Sequence, residues 1–223
     1  MSESEEDISE KNVKVVVLGD PNVGKTSIVR RFCYDEFTRY YVQTMGADFY
    51  IKRMDLSKKK EISVRVSDIG GIQLNEKMLK NYLFNSNIVI IVYDITNAQS
   101  FESTLMWLNE VKKIVVNSKQ IAIFGNKSDL EHKRIVKLDK IQRFVIEFGI
   151  LNYCVSAKTG ENVHSSLTNL IAKHFGIQLT RIEREKQAPI VRAELTSHVE
   201  RSRAIDNTRN NHSDMSSATC SLQ

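Results

Sequence analysis

The segment Gly19-Asp20-Pro21-Asn22-Val23-Gly24-Lys25-Thr26 fits the phosphate-binding pattern G-x-x-x-x-G-K-[ST] at every required position. An apolar run over residues 13–18 predicts a strand before it, and residues 25–34 after it are compatible with a helix. In that context the backbone N–H groups of the loop form a nest for anions. Lys25 adds a positive charge for the outer phosphates, and the Thr26 hydroxyl can ligate magnesium. The alternative is an ordinary glycine-containing turn, but eight matching residues between a strand and a helix favour nucleotide binding.

The bulk composition favours one α/β domain followed by a tail. The chain has 223 residues and a net charge of +5 without a long basic block, so nucleic-acid binding is not indicated. Cys33, Cys154 and Cys220 have neither metal-ligand spacing nor the pattern of a disulfide framework, which fits a reducing, cytosolic compartment. The acidic residues 2–10 do not resemble a signal peptide, and the longest apolar run, 88–92, is too short to cross a bilayer.

Strand and helix patterns alternate along most of the chain. We expect residues 1–11 to be disordered, residues 12–176 to form the domain and residues 177–223 to form a flexible tail. The alternation predicts a doubly wound, mostly parallel six-stranded α/β sheet with one antiparallel strand, and a ligand beyond the carboxyl ends of the strands. The predicted strands cover residues 13–18, 47–56, 61–67, 88–93, 120–124 and 153–155, and the predicted helices cover 25–34, 101–116, 138–148 and 163–175.

A D-x-x-G pattern, Asp68-Ile69-Gly70-Gly71, ends the second strand of the predicted hairpin. The Asp68 carboxylate would face the phosphate loop and hold magnesium through water. The Gly71 N–H could bond a terminal phosphate, because glycine permits close approach. Alone, the pattern could be an ordinary turn. Its place downstream of a phosphate loop is what favours a role in nucleotide binding.

Two further motifs follow later strands and point to the base of the nucleotide. In Asn126-Lys127-Ser128-Asp129, the Asp129 carboxylate can accept hydrogen bonds from guanine N1–H and from the exocyclic amine. Adenine lacks that pair of donors, and a buried acceptor left unpaired costs about 1–3 kcal/mol. Ser156-Ala157-Lys158 can close over the base, with the Ala157 N–H donating to guanine O6. Either motif alone could be a polar turn.

The ordered set of these motifs resembles the Ras superfamily of small GTPases over about residues 12 to 176. Thr44-Met45-Gly46-Ala47-Asp48-Phe49 looks like the I-G-V-D-F segment of Rab proteins, and Ile91-Val92-Tyr93-Asp94-Ile95-Thr96 looks like their L-V-Y-D-I-T segment. The D-I-G-G phrase, residues 126–132, residues 175–179 and the final tetrapeptide are similar to one atypical branch of the Rab family. The resemblance implies a P-loop fold, the small G domain, that binds GTP or GDP with Mg²⁺.

The resemblance also implies roles for single residues. Thr44 would join Thr26 and Asp68 around the magnesium ion only when a third phosphate is present, so its loop and that of Gly71 would be ordered by that phosphate. Tyr41 would cover the phosphates, and Phe37 would lie against the guanine ring, although it is equally suited to be a packing anchor. The implied phosphate contacts are Gly19, Asp20, Asn22, Val23, Gly24, Lys25, Thr26, Ser27 and Gly71, and the implied guanine contacts are Phe37, Asn126, Lys127, Asp129, Ser156, Ala157 and Lys158.

The chain departs from the family pattern at the position whose side chain orients the attacking water molecule. Small GTPases place a glutamine after the D-x-x-G glycine to orient the attacking water, and Ile72 stands there instead. Because the isoleucine side chain has no hydrogen-bond donor or acceptor, we name no catalytic residue. Gln73, one position later, would need a local shift of the backbone to replace the missing glutamine. Pro21 also removes an N–H from the loop, and Ser67 replaces an aromatic that commonly contacts partners. We expect intact Mg²⁺-dependent GTP binding with weak GTPase activity.

The last four residues, Cys220-Ser221-Leu222-Gln223, fit a C-a-a-X motif whose final glutamine favours farnesyl. A chance terminal cysteine is the alternative. One lipid without a basic patch gives reversible membrane binding. We therefore expect a prenyltransferase, a prenyl-binding carrier, and exchange between the cytoplasm and the cytoplasmic face of membranes.

The expected function is a Rab-like, membrane-tethered GTP switch in vesicle or intracellular membrane traffic. It would act as a monomer with effector proteins, an exchange factor and an activating protein. One alternative is a scaffold that stays loaded with GTP and does not hydrolyse it. A P-loop kinase or ATPase is the other, and Asp129 argues against it.

Overall fold

A computed structural model describes residues 11–56, 61–71, 76–114 and 120–180 of the chain. Six strands in this part of the protein form one sheet in the order β2-β3-β1-β4-β5-β6. The strands are β1 Lys11–Gly19, β2 Ala47–Asp55, β3 Glu61–Ile69, β4 Ile88–Asp94, β5 Gln120–Asn126 and β6 Leu151–Cys154. The helices are α1 Lys25–Tyr34, α2 Glu76–Leu83, α3 Ala98–Ile114, α4 Leu138–Phe148 and α5 Val163–His174, with a 3₁₀ helix at Ser128–Lys133.

Strand β1 is the parallel neighbour of both β3 and β4. Its residues from Val15 to Leu18 are all buried, as expected for a strand covered by helices on both faces. Among the strands of the described ranges, only β2 runs antiparallel, with Ala47 opposite Ile69 and Asp55 opposite Glu61. The structure thus confirms the predicted doubly wound, mostly parallel sheet with one antiparallel strand.

The alternation of β1 side chains divides the core into two layers. Val15 and Val17 pack in the layer that contains Phe32 of α1 and Leu170 of α5. Val16 and Leu18 face the opposite layer, which contains Leu83 of α2, Leu108 of α3 and Ile141 of α4. The two layers hold the carboxyl ends of β1, β3, β4 and β5 together at one edge of the sheet, where the sequence motifs lie.

The sequence prediction contained no helix α2. Its buried side chains, Leu79 and Leu83, make a single i, i+4 pair, which is too short a pattern to establish a period. Helix α3 begins at Ala98, before the predicted residue 101, because the Asn97 Oδ1 accepts hydrogen bonds from the N–H groups of Gln99 (3.0 Å) and Ser100 (3.3 Å). Helix α4 ends at Phe148, and Gly149 follows as the predicted C-cap.

Packing against the core continues three residues beyond residue 176, the predicted end of the domain. The Ile177 N–H donates to the Ala172 carbonyl at 2.8 Å, and Leu179 is buried within the core layer of α1 and α5. None of the helices in the described ranges is long and apolar enough to cross a membrane. Lys11, which was predicted to be disordered, is the first residue of β1. The predictions that concern residues 1–10, Ile72, Gln73 and the tail from residue 181 onward, with Cys220, lie outside the described residues.

Candidate nucleotide site

The buried cation of the phosphate loop is Lys25, at the start of α1. Its side chain is 6 % exposed, and its Nζ donates to the Asp20 carbonyl at 2.8 Å across the loop. Burial lowers the pKa of Lys25 to about 8, while the charges of Asp68 and Asp20 act in the opposite direction. The ammonium therefore remains the main form at neutral pH. Because it has little contact with water, a neighbouring phosphate would stabilise its charge.

Three oxygen-bearing side chains converge beside Lys25. The Thr26 hydroxyl donates to Asp68 Oδ2 at 2.5 Å, and the hydroxyls of Thr26 and Thr44 lie 2.9 Å apart. Thr44 Oγ1 is also 3.4 Å from Asp68 Oδ2. The three predicted magnesium-binding residues, which come from three separate segments, thus lie together.

The surroundings of Asp68 fit a hard cation. The residue is fully buried, and its Oδ1 has no hydrogen-bond partner among the described residues. Burial raises the pKa of the carboxyl, and the hydrogen bond from Thr26 opposes this shift. Because Mg²⁺ prefers oxygen ligands and would satisfy the orphaned carboxylate oxygen, the residues present fit this ion.

The D-x-x-G segment contacts both the loop of Thr44 and the phosphate loop. The Gly70 N–H donates to the Gly46 carbonyl at 2.8 Å. A Cβ added at Gly70 would lie 2.6 Å from the Thr44 carbonyl oxygen, and one added at Gly71 would lie 2.4 Å from the Pro21 nitrogen. Neither position has room for a side chain, so these contacts depend on glycine.

A Gly70→Ala substitution tests the contact with the Thr44 loop. The added methyl group would displace the Thr44 carbonyl, and the family resemblance implies that Thr44 binds the magnesium ion only when a third phosphate is present. We expect the affinity for a non-hydrolysable GTP analogue to fall by about tenfold, since overpacking costs about 1–3 kcal/mol. Titration with fluorescent nucleotides measures this, and the affinity for GDP should stay unchanged. Equal losses for both nucleotides would contradict the role assigned to Gly70.

Asn126 joins the phosphate loop to the loop of residues 156–158. Its Nδ2 donates to the Val23 carbonyl at 2.8 Å, and its Oδ1 accepts from the Ala157 N–H at 3.1 Å. The sequence assigned both Asn126 and the Ala157 N–H to the guanine base, whereas here they bond to each other. The observed geometry makes Asn126 a brace between two walls of the site.

Lys127 is held in place by a carboxylate that the sequence motifs did not reveal. Its Nζ lies 2.6 Å from Asp94 Oδ2 and donates to the Asn22 carbonyl at 3.1 Å. Asp94 is the last residue of β4, and its Oδ1 also accepts from the Thr96 N–H at 2.8 Å. Its position at the carboxyl end of a strand, within the segment that resembles Rab proteins, was the available signal.

Asp129 lies at the base end of the site, with its side chain 12 % exposed. Its Oδ1 accepts from the Ser156 hydroxyl at 2.7 Å, and its Oδ2 lies 3.5 Å from Lys158 Nζ. These contacts orient the carboxylate and leave it acceptor capacity for two further N–H donors, the number that the prediction of a guanine base requires.

Two adjoining cavities lie along these groups of residues. One of about 110 Å³ is lined by Lys25, Thr26 and Thr44, and one of about 250 Å³ is lined by Phe37 and Asp129. Phe37 also packs against the core, so its packing role is observed, while its contact with the guanine ring stays a prediction. Of the predicted site residues, those that line either cavity are Asn22, Gly24, Lys25, Thr26, Ser27, Phe37, Tyr41, Thr44, Gly71, Asn126, Lys127, Asp129, Ala157 and Lys158.

Other predicted residues act from behind the cavity walls. Gly19, Val23, Asp68 and Ser156 do not line either cavity. Asp20 also lies outside the lining, and its Oδ1 accepts from the indole N–H of Trp107 on α3 at 2.9 Å. The sequence did not indicate this bond, although a buried indole N–H usually requires a partner.

The chain is similar to known proteins over nearly its whole length. The model of the Ras family matches residues 14–175. The chain is also 36 % identical over 221 residues to Ras-related protein Rab-28 of Caenorhabditis elegans, an alignment that covers 98 % of this chain and 89 % of that protein.

Proposed function

The chain belongs to the Ras family as a Rab-like small GTP-binding protein, and on this basis we propose that it is a Mg²⁺-dependent GTP switch with slow intrinsic hydrolysis. The observation that carries the proposal is the convergence of Thr26, Thr44 and Asp68. Thr44 belongs to the segment between α1 and β2, whereas Thr26 lies in the first turn of α1 and Asp68 lies near the end of β3. A switch needs such a contact between a movable loop and the phosphate end of the site.

The phosphate end stabilises a polyphosphate through charge and position. Lys25 supplies a buried ammonium, and Thr26, Thr44 and Asp68 would hold the magnesium ion. Bound Mg²⁺ would offset the charge of the phosphate oxygens. Gly71 lies against the phosphate loop, so its N–H is close to the phosphate end of the site. A segment that contacts both loops can transmit the presence of a third phosphate from one to the other.

The base end favours guanine over adenine. Asp129 offers carboxylate oxygens in a cavity that Phe37 and Lys127 also line. Guanine presents two N–H donors on one edge, and adenine would leave the carboxylate without them. This argument supports GTP rather than ATP and weighs against a P-loop kinase or ATPase.

Slow hydrolysis is proposed from Ile72, which lies outside the described residues. An isoleucine side chain cannot orient a water molecule, and misplacing a reacting group lowers the rate steeply. We expect an Ile72→Gln variant to hydrolyse bound GTP at least about tenfold faster in single turnover. The measurement is the fraction of GTP remaining on the loaded protein over time.

A Gln73→Ala variant is the control, because the neighbouring glutamine should not contribute. If wild-type protein hydrolyses GTP as fast as Ile72→Gln, slow hydrolysis is wrong. If Gln73→Ala abolishes the activity, Gln73 has the catalytic role instead. A protein that retains GTP without any decay, even with the glutamine restored, would favour the GTP-loaded scaffold.

Partner binding is proposed on the exposed apolar surface next to Thr44. Met45 is 81 % exposed and Phe49 is 68 % exposed, and the Phe49 ring contacts that of Tyr82 on α2. Ser67 of β3 is buried where the resemblance leads us to expect an aromatic side chain. We propose that effectors, an exchange factor and an activating protein bind here, with a selectivity that differs from that of relatives carrying the aromatic.

Membrane attachment is proposed through Cys220, which also lies outside the described residues. We propose farnesylation by a prenyltransferase, delivery by a prenyl-binding carrier, and action as a monomer in vesicle traffic at the cytoplasmic face of membranes. A Cys220→Ser variant should lose membrane association and move to the cytoplasm, measured by fractionation with a Cys33→Ser control. Equal membrane fractions for Cys220→Ser and wild type would contradict the lipid anchor.

A further inference from the structure

The side chain of Arg31 extends from α1 to the loop of residues 156–158. This loop forms one wall of the larger cavity, lined by Phe37 and Asp129, which we call the base cavity. Arg31 Nε donates to the Ala157 carbonyl at 3.0 Å, and its Nη2 donates to the Lys158 carbonyl at 2.9 Å. Ala157 and Lys158 line the same cavity as Asp129. One guanidinium thus binds two consecutive carbonyl groups of the wall from behind.

The third guanidinium nitrogen bonds to the residue that follows α1. Arg31 Nη1 donates to the Asp35 carbonyl at 2.8 Å and to Asp35 Oδ1 at 3.0 Å. Asp35 is the C-cap residue of α1 and has a left-handed conformation, with φ at 57°; its own N–H donates to the Arg31 carbonyl at 3.0 Å. Phe37, which lines the base cavity, follows two residues later.

The chemistry of the side chain suits this position. The Arg31 side chain is only 15 % exposed, while its partner carboxylate at Asp35 is 80 % exposed. An exposed ion pair contributes little by itself. The bonds to the carbonyls of Ala157 and Lys158 need a planar, forked donor, which lysine cannot provide from a single ammonium.

The same helix begins at Lys25 and Thr26, at the phosphate end. Arg31 therefore fixes the base wall to the element that carries the phosphate-binding side chains. We propose that Arg31 is a positioning residue for the guanine base and that it slows nucleotide release without contacting the nucleotide. This inference rests on the proposed function, since it concerns the same site.

The test is the release rate of fluorescent GDP from full-length wild-type, Arg31→Met and Arg31→Lys proteins. We expect Arg31→Met to release GDP about tenfold faster, because carbonyl groups on the wall lose their donors. Arg31→Lys should fall between Arg31→Met and wild type. Arg143→Met, a substitution on the exposed face of α4, should release GDP at the wild-type rate.

A second readout separates positioning of the base from general loosening of the protein. The ratio of release rates in EDTA and in excess Mg²⁺ reports the phosphate end. Arg31→Met should leave this ratio unchanged, whereas a loosened protein would change it together with its melting temperature. If Arg31→Met does not fold, Arg31→Lys decides: faster release supports the proposal and wild-type release overturns it.

Other outcomes are equally decisive. Wild-type release from folded Arg31→Met, or an equal acceleration in Arg143→Met, would overturn the inference while leaving the proposed function intact. Failure of the wild-type protein to bind fluorescent GDP would instead refute the proposed function.

Discussion

An Asp129→Asn variant is expected to bind GTP about 10³-fold more weakly than the wild-type protein, because a site built to pair buried polar groups rejects a ligand that leaves them unmatched. The new amide group would direct N–H donors at the N–H donors of guanine. Xanthine has a carbonyl oxygen in place of the exocyclic amine, so xanthosine triphosphate should bind the variant better than GTP. Competition titrations with the two nucleotides measure the reversal.

The fold should survive this change. Asparagine keeps an Oδ1 that can accept from the Ser156 hydroxyl, as Asp129 does at 2.7 Å. Asp139→Asn, an exposed substitution with the same loss of charge on α4, is the matched control and should not alter either affinity. If Asp129→Asn binds GTP as tightly as wild type, the assignment of the guanine site is wrong.

Lys25→Ala is expected to weaken GDP and GTP binding alike, by roughly 10²- to 10³-fold, because truncating a buried partner of a charge pair costs about 2–5 kcal/mol. Lys25 is almost fully buried, and the charges that face it from the protein are those of Asp68 and Asp20. Without the ammonium, the phosphates would approach these carboxylates with less compensation. Isothermal titration of the nucleotide-free protein gives the loss for each nucleotide.

The control for Lys25→Ala is Lys173→Ala, which removes an exposed lysine from α5. This variant should bind both nucleotides with wild-type affinity. A Lys25→Ala protein that retains its affinity would show that the phosphate end depends on the backbone alone. A loss restricted to GTP would place Lys25 at the third phosphate only.

The sequence predicted the parts of the site whose residues lie in one short, continuous segment. The phosphate loop is one continuous segment between a strand and a helix, and its hydrogen-bonding geometry follows from that context. Asp68 was assigned by its motif and Thr44 by the family resemblance, and the structure places both near Thr26. The sheet followed from the alternation of elements, although the single i, i+4 pair in α2 was too short to be recognised.

The supporting residues could not be predicted, because their partners are distant in the chain. Arg31 reaches carbonyls 126 and 127 positions away, and the Trp107 indole reaches a carboxylate 87 positions away. Every residue has a backbone carbonyl whatever its side chain, so no sequence motif could indicate the hydrogen bonds of Arg31. Asp94 was visible in the Rab-like segment, yet its pairing with Lys127 required the register of β4 and β5.

The two ends of the site are linked mainly by polar side chains rather than by the apolar core. Asn126 connects Val23 to Ala157, and Arg31 connects α1 to the same wall. Removing either brace should affect the release of nucleotide more than the stability of the sheet. This separation allows a binding defect to be distinguished from a folding defect in the variants described above.

The most direct measurement is the identity and amount of nucleotide bound to the freshly purified wild-type protein, determined by chromatography after denaturation. We predict about one guanine nucleotide per chain, and, after loading with GTP, a slow conversion of that GTP to GDP on the protein. Adenine nucleotide, or no nucleotide in a folded protein that also fails to take up added GTP, would contradict the account.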